Sequence, residues 1–316
     1  MLHTNEPQQR YVLGDWGTSR LRLFLLENGE ITDSREGQGI GALTAAPADT
    51  LAELIAPWMD AAQPMDVLLA GMIGSRNGLF EVPYAMLPVN CAAWSRTAWS
   101  TRMRGMNITI AAGLRGSGQD GAPDVMRGEE TQLFGAMRVD ASLGAGSHLF
   151  VLPGTHSKWV EVENGAVVRF RTALTGEVYA LLRDHSILLK AGGVDGNADA
   201  DADADVGFIA GVKRCTHLAE GLLAALFEAR TAQLLQDRSR AWASGFLSGL
   251  LIGYEVASLS TAYPARSVRI IGDTNLASLY RRVFADRGVE TRALDGAACA
   301  ISGLRYLREH LTEGLT

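Results

Sequence analysis

The sequence predicts an α/β protein made of two lobes with the same topology. Strand-like apolar runs alternate with helical ones along most of the chain. At 316 residues and 47% hydrophobic content, the chain can bury a large core, and its length favours two domains over one. One pattern also occurs twice: "GTSRLRLFLLENG" at 17–29 is matched by "GTHSKWVEVENG" at 154–165. Each follows an apolar strand with a Gly-Thr turn, a nearby hydroxyl, a second strand and a closing Glu-Asn-Gly. Two unrelated hairpins that share common turn residues would look alike; duplication of a lobe is the sharper reading. The expected lobes are 1–140, completed by a C-terminal helix at 296–316, and 141–295.

Residues 11–14 and 20–26 read as strands, Asn28-Gly29 as a two-residue hairpin turn and 31–36 as a third strand, a meander. A helix around 48–62 comes next, then a buried strand Val67 to Ala70 and the glycine-bearing loop "GMIGSRNG", 71–78. After a stretch with few regular features, "ITIAAGL", 108–114, reads as a strand, and a helix from about 128 to 138 ends the first half. The second half opens on the repeated hairpin. The run "DADADAD", 199–205, lacks the glycine and glutamate of a calcium loop, so a solvated acidic loop or helix start is expected. "AWASGFLSGLLIGYEVASL", 241–259, reads as a buried, glycine-notched helix and 267–288 as strand, turn and helix. The final helix, 295–311, carries small residues that permit close approach to a neighbour.

Bulk properties exclude several function classes. The formal net charge is -6 and the basic residues are scattered, so no stripe suits a nucleic-acid backbone. Cys91, Cys215 and Cys299 are few, odd in number and far apart, and read as reduced packing residues. The first ten residues lack the pattern of a signal peptide, and no run approaches the roughly 20 apolar residues of a membrane span. A soluble, cytoplasmic protein is expected, with a homodimer left open.

Two Gly-Thr turns give the chemistry its first candidates. Gly17, Thr18 and Ser19 in one, and Gly154 and Thr155 in the other, offer backbone amides and hydroxyls to the acceptor oxygens of a polyphosphate. Asp15 could carry a magnesium ion that neutralises the phosphates, or could simply stabilise its own turn. No Walker-type loop occurs. His156 serves either the loop or a phosphate, and Lys158 is either a phosphate ligand or a solvated strand residue.

In "DVMRGEETQLFGAM", 124–137, Glu129 and Glu130 stand at a helix start, where they either cap the helix or accept a proton from an attacking hydroxyl; Asp124 is a third candidate. Ser75, Arg76, Arg127 and Arg171 could meet a carboxylate-bearing substrate, and Thr172, Thr175 and Glu177 its sugar hydroxyls. Gly272 and Asp273, at a strand end before a helix, offer a ledge for adenosine.

These residues resemble a known family. The paired phosphate turns are similar to those of actin, heat-shock chaperones and many sugar kinases, which share a fold of two actin-like (ribonuclease H-like) lobes around a nucleotide cleft. Within that fold, "DWGTSRLR", "GMIGS", "VMRGEETQLFGA", "LPGTHSKWV", "FRTALTGE" and "FLSGLLIGYEVA" together resemble the 2-dehydro-3-deoxygalactonokinase family, in order from residue 11 to about 305.

The resemblance implies ATP- and magnesium-dependent phosphorylation of 2-dehydro-3-deoxy-D-galactonate at its terminal 6-hydroxyl, in galactonate catabolism. It places the catalytic base at Glu129 or Glu130, with Glu130 slightly favoured, and implies lobe closure over both substrates. Leu79 departs from the aromatic that many relatives carry there. An exopolyphosphatase or other phosphohydrolase on the same fold is the rival enzyme. A sugar-sensing regulator and an actin-like filament protein are non-enzymatic rivals.

Overall fold

The two Asn-Gly hairpin turns have the same backbone conformation. Asn28 and Gly29 have φ of 53° and 85°, and Asn164 and Gly165 have 49° and 76°. Positive φ at both central residues is the hairpin turn that Asn-Gly favours, because its twist matches that of the flanking strands. In the computed structural model, which describes residues 10–60, 63–118, 121–190 and 200–313, these turns hold equivalent places in two sheets.

The strands and helices follow in chain order. The first part contains β1 (Arg10–Trp16), β2 (Arg20–Glu27), β3 (Glu30–Gln38), α1 (Pro47–Ile55), β4 (Met65–Gly71), β5 (Ala85–Met86), β6 (Val89–Asn90) and α2 (Cys91–Ser95). It continues with β7 (Trp99–Met103), β8 (Met106–Ile110), β9 (Leu114–Ser117), β10 (Pro123–Met126) and α3 (Glu129–Val139). After these come β11 (Ser147–Leu152), β12 (Ser157–Glu163), β13 (Ala166–Ala173), α4 (Thr175–His185), α5 (Ala200–Arg214) and α6 (Leu222–Leu235). The chain ends with α7 (Arg240–Ala262), β14 (Ser267–Gly272), α8 (Thr274–Ala285), β15 (Glu290–Asp295) and α9 (Gly296–Glu313).

One sheet runs β3-β2-β1-β4-β8-β7, the other β15-β14-β11-β12-β13-β6, and β10-β9-β5 form a small third sheet. Leaving out the edge strands β7 and β6, each large sheet has a meander of three strands followed outward by two more in the same order. That shared order is the topology expected from a duplicated lobe.

Two structural units divide the chain. The first comprises 1–147, 162–170 and 295–316; the second comprises 148–161 and 171–294. In the first, β1 and β4 pair in parallel and both are almost wholly buried, as central strands covered on two faces must be. Val12, Leu21, Leu23, Val67, Leu69, Ile108 and Ile110 form its core with Leu51, Ile55 and Trp58 from α1 and the turn after it. The small residues of α9 act as expected: a Cβ on Gly135 of α3 would collide with the Cys299 carbonyl, and one on Gly303 with the Thr131 carbonyl.

In the second unit, α7 is the predicted glycine-notched helix, and α5 fills its notches. A side chain on Gly245 or Gly249 would strike the carbonyls of Ala204 or Phe208; one on Gly207 or Gly211 of α5 would strike those of Trp242 or Phe246. Buried Val151, Trp159, Val268, Ile270, Tyr280 and Phe284 close the sheet's core.

Several expectations change in detail. The helix expected over 48–62 stops at Ile55 and tightens into a 3-10 turn at Ala56–Trp58, where Pro57 removes a backbone donor. The strand expected over 108–114 splits at Ala111–Gly113, because Gly113 passes too close to the Met126 carbonyl for any side chain. Of the two forms expected for the acidic run, the structure has the helix start: it opens α5, with Asp205 paired to Arg282 and Asp203 accepting from Ser239 Oγ. Residue 199 of that run, the first nine residues and the ends of the two expected helices at 61–62 and 314–316 lie outside the described residues.

All three cysteines are free. Cys215 and Cys299 are buried and Cys91 is half-buried; desolvation pushes the Cys91 thiol up to about 12 and the other two up to about 11. Among the described residues, no helix is long and apolar enough to cross a membrane.

Candidate active site

Backbone hydrogen bonds hold the turn between β1 and β2. The Gly17 N–H donates to Arg20 O at 2.9 Å, while Ile40 and Gly41 donate to the Gly17 and Thr18 carbonyls at 3.1 and 2.9 Å. With its carbonyls so engaged, the turn leaves Thr18 and Ser19 exposed, and their hydroxyls find no partner among the described residues. Asp15 and Arg22 face each other across the β1–β2 register and pair at 2.7 Å through Asp15 Oδ2. Among the described residues no group of three or more His, Cys, Asp and Glu side chains could hold a metal. Asp15 is thus a single hard oxygen donor beside the turn, with Oδ1 not engaged there.

Two close backbone approaches bring the acidic helix to this turn. Gly71, at the end of β4 with φ of 92°, lies so near β1 that a Cβ would stand 2.6 Å from Trp16 O. Gly128, with φ of 106°, packs on Gly71; its Cβ would be 3.3 Å from Gly71 Cα. Only glycine combines this conformation with such proximity. Because Gly128 is the N-cap of α3, Glu129 and Glu130 open their helix next to the strand end that carries Asp15.

The two glutamates have different environments. Glu130 is fully buried, and its Oε2 accepts the Gly128 N–H at 2.7 Å. Burial, and then the neighbouring Glu129 charge, push its carboxyl up to about 8. Glu129 is half-buried, with Oε2 accepting the Arg127 N–H at 3.1 Å. Both carboxylates thus fold back onto the segment that leads into α3, which has no side-chain cap of its own, and of the two only Glu129 is open to solvent. Asp124 sits on β10 and accepts its neighbour's N–H at 2.8 Å.

The arginines expected to meet substrate are not equivalent. Arg127 lies over the Tyr84 ring at 4.3 Å and donates from Nη2 to Val82 O at 2.6 Å. Its Nε and Nη1 are enclosed in protein and find no hydrogen-bond partner among the described residues. Arg76 stands in solvent, its side chain 84% exposed and loosely paired with Glu81 at 3.6 Å. Ser75 closes its own turn, donating to Met72 O at 2.7 Å. Arg171 and Thr172 are half-buried on β13, in the second unit.

The second Gly-Thr turn joins β11 to β12. The N-terminus of α4, a helix absent from the sequence reading, supports it. Gly176 packs on the Gly154 carbonyl so tightly that a side chain would clash, and the Glu177 N–H donates to Thr155 O at 2.9 Å. His156 Nε2 meets Glu177 Oε2 at 2.5 Å. His156 therefore braces the loop, and Glu177 belongs to this turn; Thr175, at the same helix start, bonds to Tyr280. Thr155 itself is exposed, whereas Lys158 is buried rather than solvated, its Nζ 3.5 Å from His156 O.

Asp273 caps α8, taking the N–H groups of Asn275 and Leu276 at 2.9 and 3.3 Å, and a Cβ on Gly272 would come within 3.4 Å of Pro153 O. The expected adenosine ledge thus adjoins the second turn. A buried carboxylate that the sequence reading passed over, Glu255 of α7, lies behind this turn. The signal was present: a glutamate inside the apolar run "FLSGLLIGYEVA".

Known proteins resemble this chain in sequence and fold. The sequence profile of the 2-keto-3-deoxy-galactonokinase family matches residues 15–307. The 2-dehydro-3-deoxygalactonokinase of Escherichia coli K12 is 37% identical over 304 residues, 94% of this chain and 97% of that protein. A solved candidate 2-dehydro-3-deoxygalactonokinase from Sinorhizobium meliloti superposes with a TM-score of 0.83 at 33% identity, over 95% of this chain and 99% of the other. Component A of (R)-2-hydroxyglutaryl-CoA dehydratase from Acidaminococcus fermentans shares the fold alone, with a TM-score of 0.52 at 13% identity over 96% and 99% of the two chains.

The fold is thus α/β with two actin-like lobes, and a kinase displaces the exopolyphosphatase alternative. From the matched profile and the relatives that share nearly its whole length, the chain belongs to the 2-keto-3-deoxy-galactonokinase family.

Proposed function

We propose that the protein transfers the γ-phosphoryl group of ATP to the terminal 6-hydroxyl of 2-dehydro-3-deoxy-D-galactonate, in the cytoplasmic catabolism of galactonate. The observation that supports this best is the stack Trp16–Gly71–Gly128, which sets an acidic helix start beside a hydroxyl-bearing turn. In phosphoryl transfer the protein's task is chiefly to position groups and neutralise charge.

The hydroxyls of Thr18 and Ser19 and the Gly154–Thr155 turn donate to phosphate oxygens. Lys158 adds positive charge behind the second turn, His156 holds it, and Gly272 and Asp273 border the adenosine. Magnesium supplies charge neutralisation on the phosphates when bound, and Asp15 would hold it directly or through water, since one carboxylate suffices when phosphates provide the other ligands.

Glu129 is the proton acceptor that its exposure favours over buried Glu130, a change from the order read in the sequence. The 6-hydroxyl oxygen forms a bond to the γ-phosphorus and the bond to the β-phosphate oxygen breaks. The hydroxyl proton passes to Glu129 and ADP leaves. Arg171 and Thr172 are the remaining candidates for the sugar acid, because Arg127 is enclosed and Arg76 is solvent-exposed and paired with Glu81.

A coupled assay of ADP release over a panel of 2-keto-3-deoxy sugar acids, with a control lacking sugar, tests the reading. Turnover that needs a sugar acid and is highest with the galactonate derivative is expected; equal ADP release without sugar would overturn it. Glu129→Gln should lower kcat by about 10²–10⁴-fold, the usual contribution of a general base. Full activity in that variant would move the role to Glu130 or Asp124.

A further inference from the structure

Glu255 is the structure's least expected carboxylate. It lies in the middle of α7, only 4% exposed, and no arginine, lysine or histidine pairs with it among the described residues. Its charge is instead met by three neutral donors. Oε1 accepts Ser157 Oγ–H at 2.7 Å and Trp159 Nε1–H at 2.7 Å, and Oε2 accepts the Tyr280 O–H at 2.6 Å. A buried carboxylate without a counter-ion is expensive, and apolar packing would be cheaper if stability were its only purpose.

The donors come from the segments that shape the second Gly-Thr turn. Ser157 is the first residue of β12, two positions after Thr155. Tyr280 lies on α8, the helix that opens on the Gly272–Asp273 bend, and also bonds to Thr175 at the start of α4. The next two residues of α4, Gly176 and Glu177, are the ones that seat Gly154, Thr155 and His156. Burial and the Glu255 charge raise the Tyr280 phenol well above its ordinary value, so it remains a donor.

We infer that Glu255 is a positioning residue for nucleotide binding. Its buried carboxylate gathers β12, α8 and, through Tyr280, α4 into the arrangement in which the Gly154–Thr155 turn and its neighbouring bend meet the nucleotide. The inference rests on the proposed role of that turn in holding phosphate. It adds a prediction that the turn's role alone does not make: removing a charge that never touches ATP selectively weakens ATP binding.

Steady-state kinetics on the full-length chain tests this, with Glu255→Gln, Tyr280→Phe, Ser157→Ala and Thr155→Ala compared with wild type. Glu255→Gln should raise the KM for ATP about tenfold or more, the effect of losing a hydrogen bond to a charged group, while the sugar-acid KM and kcat move less than about twofold. Tyr280→Phe and Ser157→Ala should shift the ATP KM the same way by smaller factors. They carry the test if the glutamine variant does not fold.

A raised ATP KM in Thr155→Ala with an unchanged one in all the folded network variants would overturn the inference and leave the phosphate turn intact. An unchanged ATP KM in Thr155→Ala would instead remove the role of the turn, and this inference with it. A drop in melting temperature alone, with unaltered ATP KM in the folded protein, would mark Glu255 as merely structural.

Discussion

At Glu130, a carboxyl with no exposed surface accepts a backbone N–H and stands beside a second glutamate. Its pKa in the folded state is pushed up to about 8 by burial, above its ordinary 4.5. Between those two values the folded protein holds a proton that the unfolded chain has lost, so stability falls as pH rises through that window. Chemical denaturation from pH 5 to 9 should show a decline in wild type that Glu130→Gln lacks; parallel curves would contradict it. Gly71 permits a second residue-level prediction. Alanine there combines a left-handed φ with a Cβ 2.6 Å from Trp16 O, so Gly71→Ala should cost about 1–3 kcal/mol or more and suppress turnover. Thermal unfolding and the ADP assay together would check it. The sequence placed glutamates and turn hydroxyls near one another only through motif order. What it could not display was the Gly71–Gly128 contact, because glycines far apart in the chain carry no pairing signal. It also could not distinguish a sealed glutamate from an open one one residue away.

Among elements, legibility followed the strength of periodicity and turn chemistry. Both Asn-Gly hairpins, the glycine-notched α7 and the β14–α8 unit were readable from local pattern. Strand β7 was not: it pairs with β8 through a turn at Arg104-Gly105, with φ of 49° and 75°, and arginine is a poor signal for a left-handed position. Helix α4 hid because Thr175-Gly176 reads as a turn, whereas that glycine lets the helix start touch Gly154. The α5–α7 crossing gives the prediction for this scale. Gly249→Ala would press a methyl into the Phe208 carbonyl and should lower stability by about 1–3 kcal/mol, the usual cost of overpacking. Gly144→Ala, with nothing within 4 Å, should be close to neutral. Similar melting temperatures for both variants would contradict the close helix approach.

For the whole molecule, the repeated strand order links an internal echo of about a dozen residues to a duplicated architecture, and each unit contributes one Gly-Thr turn. The chain is a member of the 2-keto-3-deoxy-galactonokinase family over residues 15–307. The two-lobed fold was legible because the hairpins repeat. The grouping of 162–170 with the first unit was not, since it depends on β13 pairing with the two-residue strand β6 at Asn90–Ala166 and Val89–Val167. The central claim is that phosphate moves from ATP to one alcohol of a 2-keto-3-deoxy sugar acid. Phosphorus NMR of the product mixture, made with excess ATP and 2-dehydro-3-deoxy-D-galactonate, tests it most directly. One phosphomonoester on the terminal oxygen, formed in equal amount with ADP, is the predicted result; inorganic phosphate as the main product, or an ester at another hydroxyl, would contradict it.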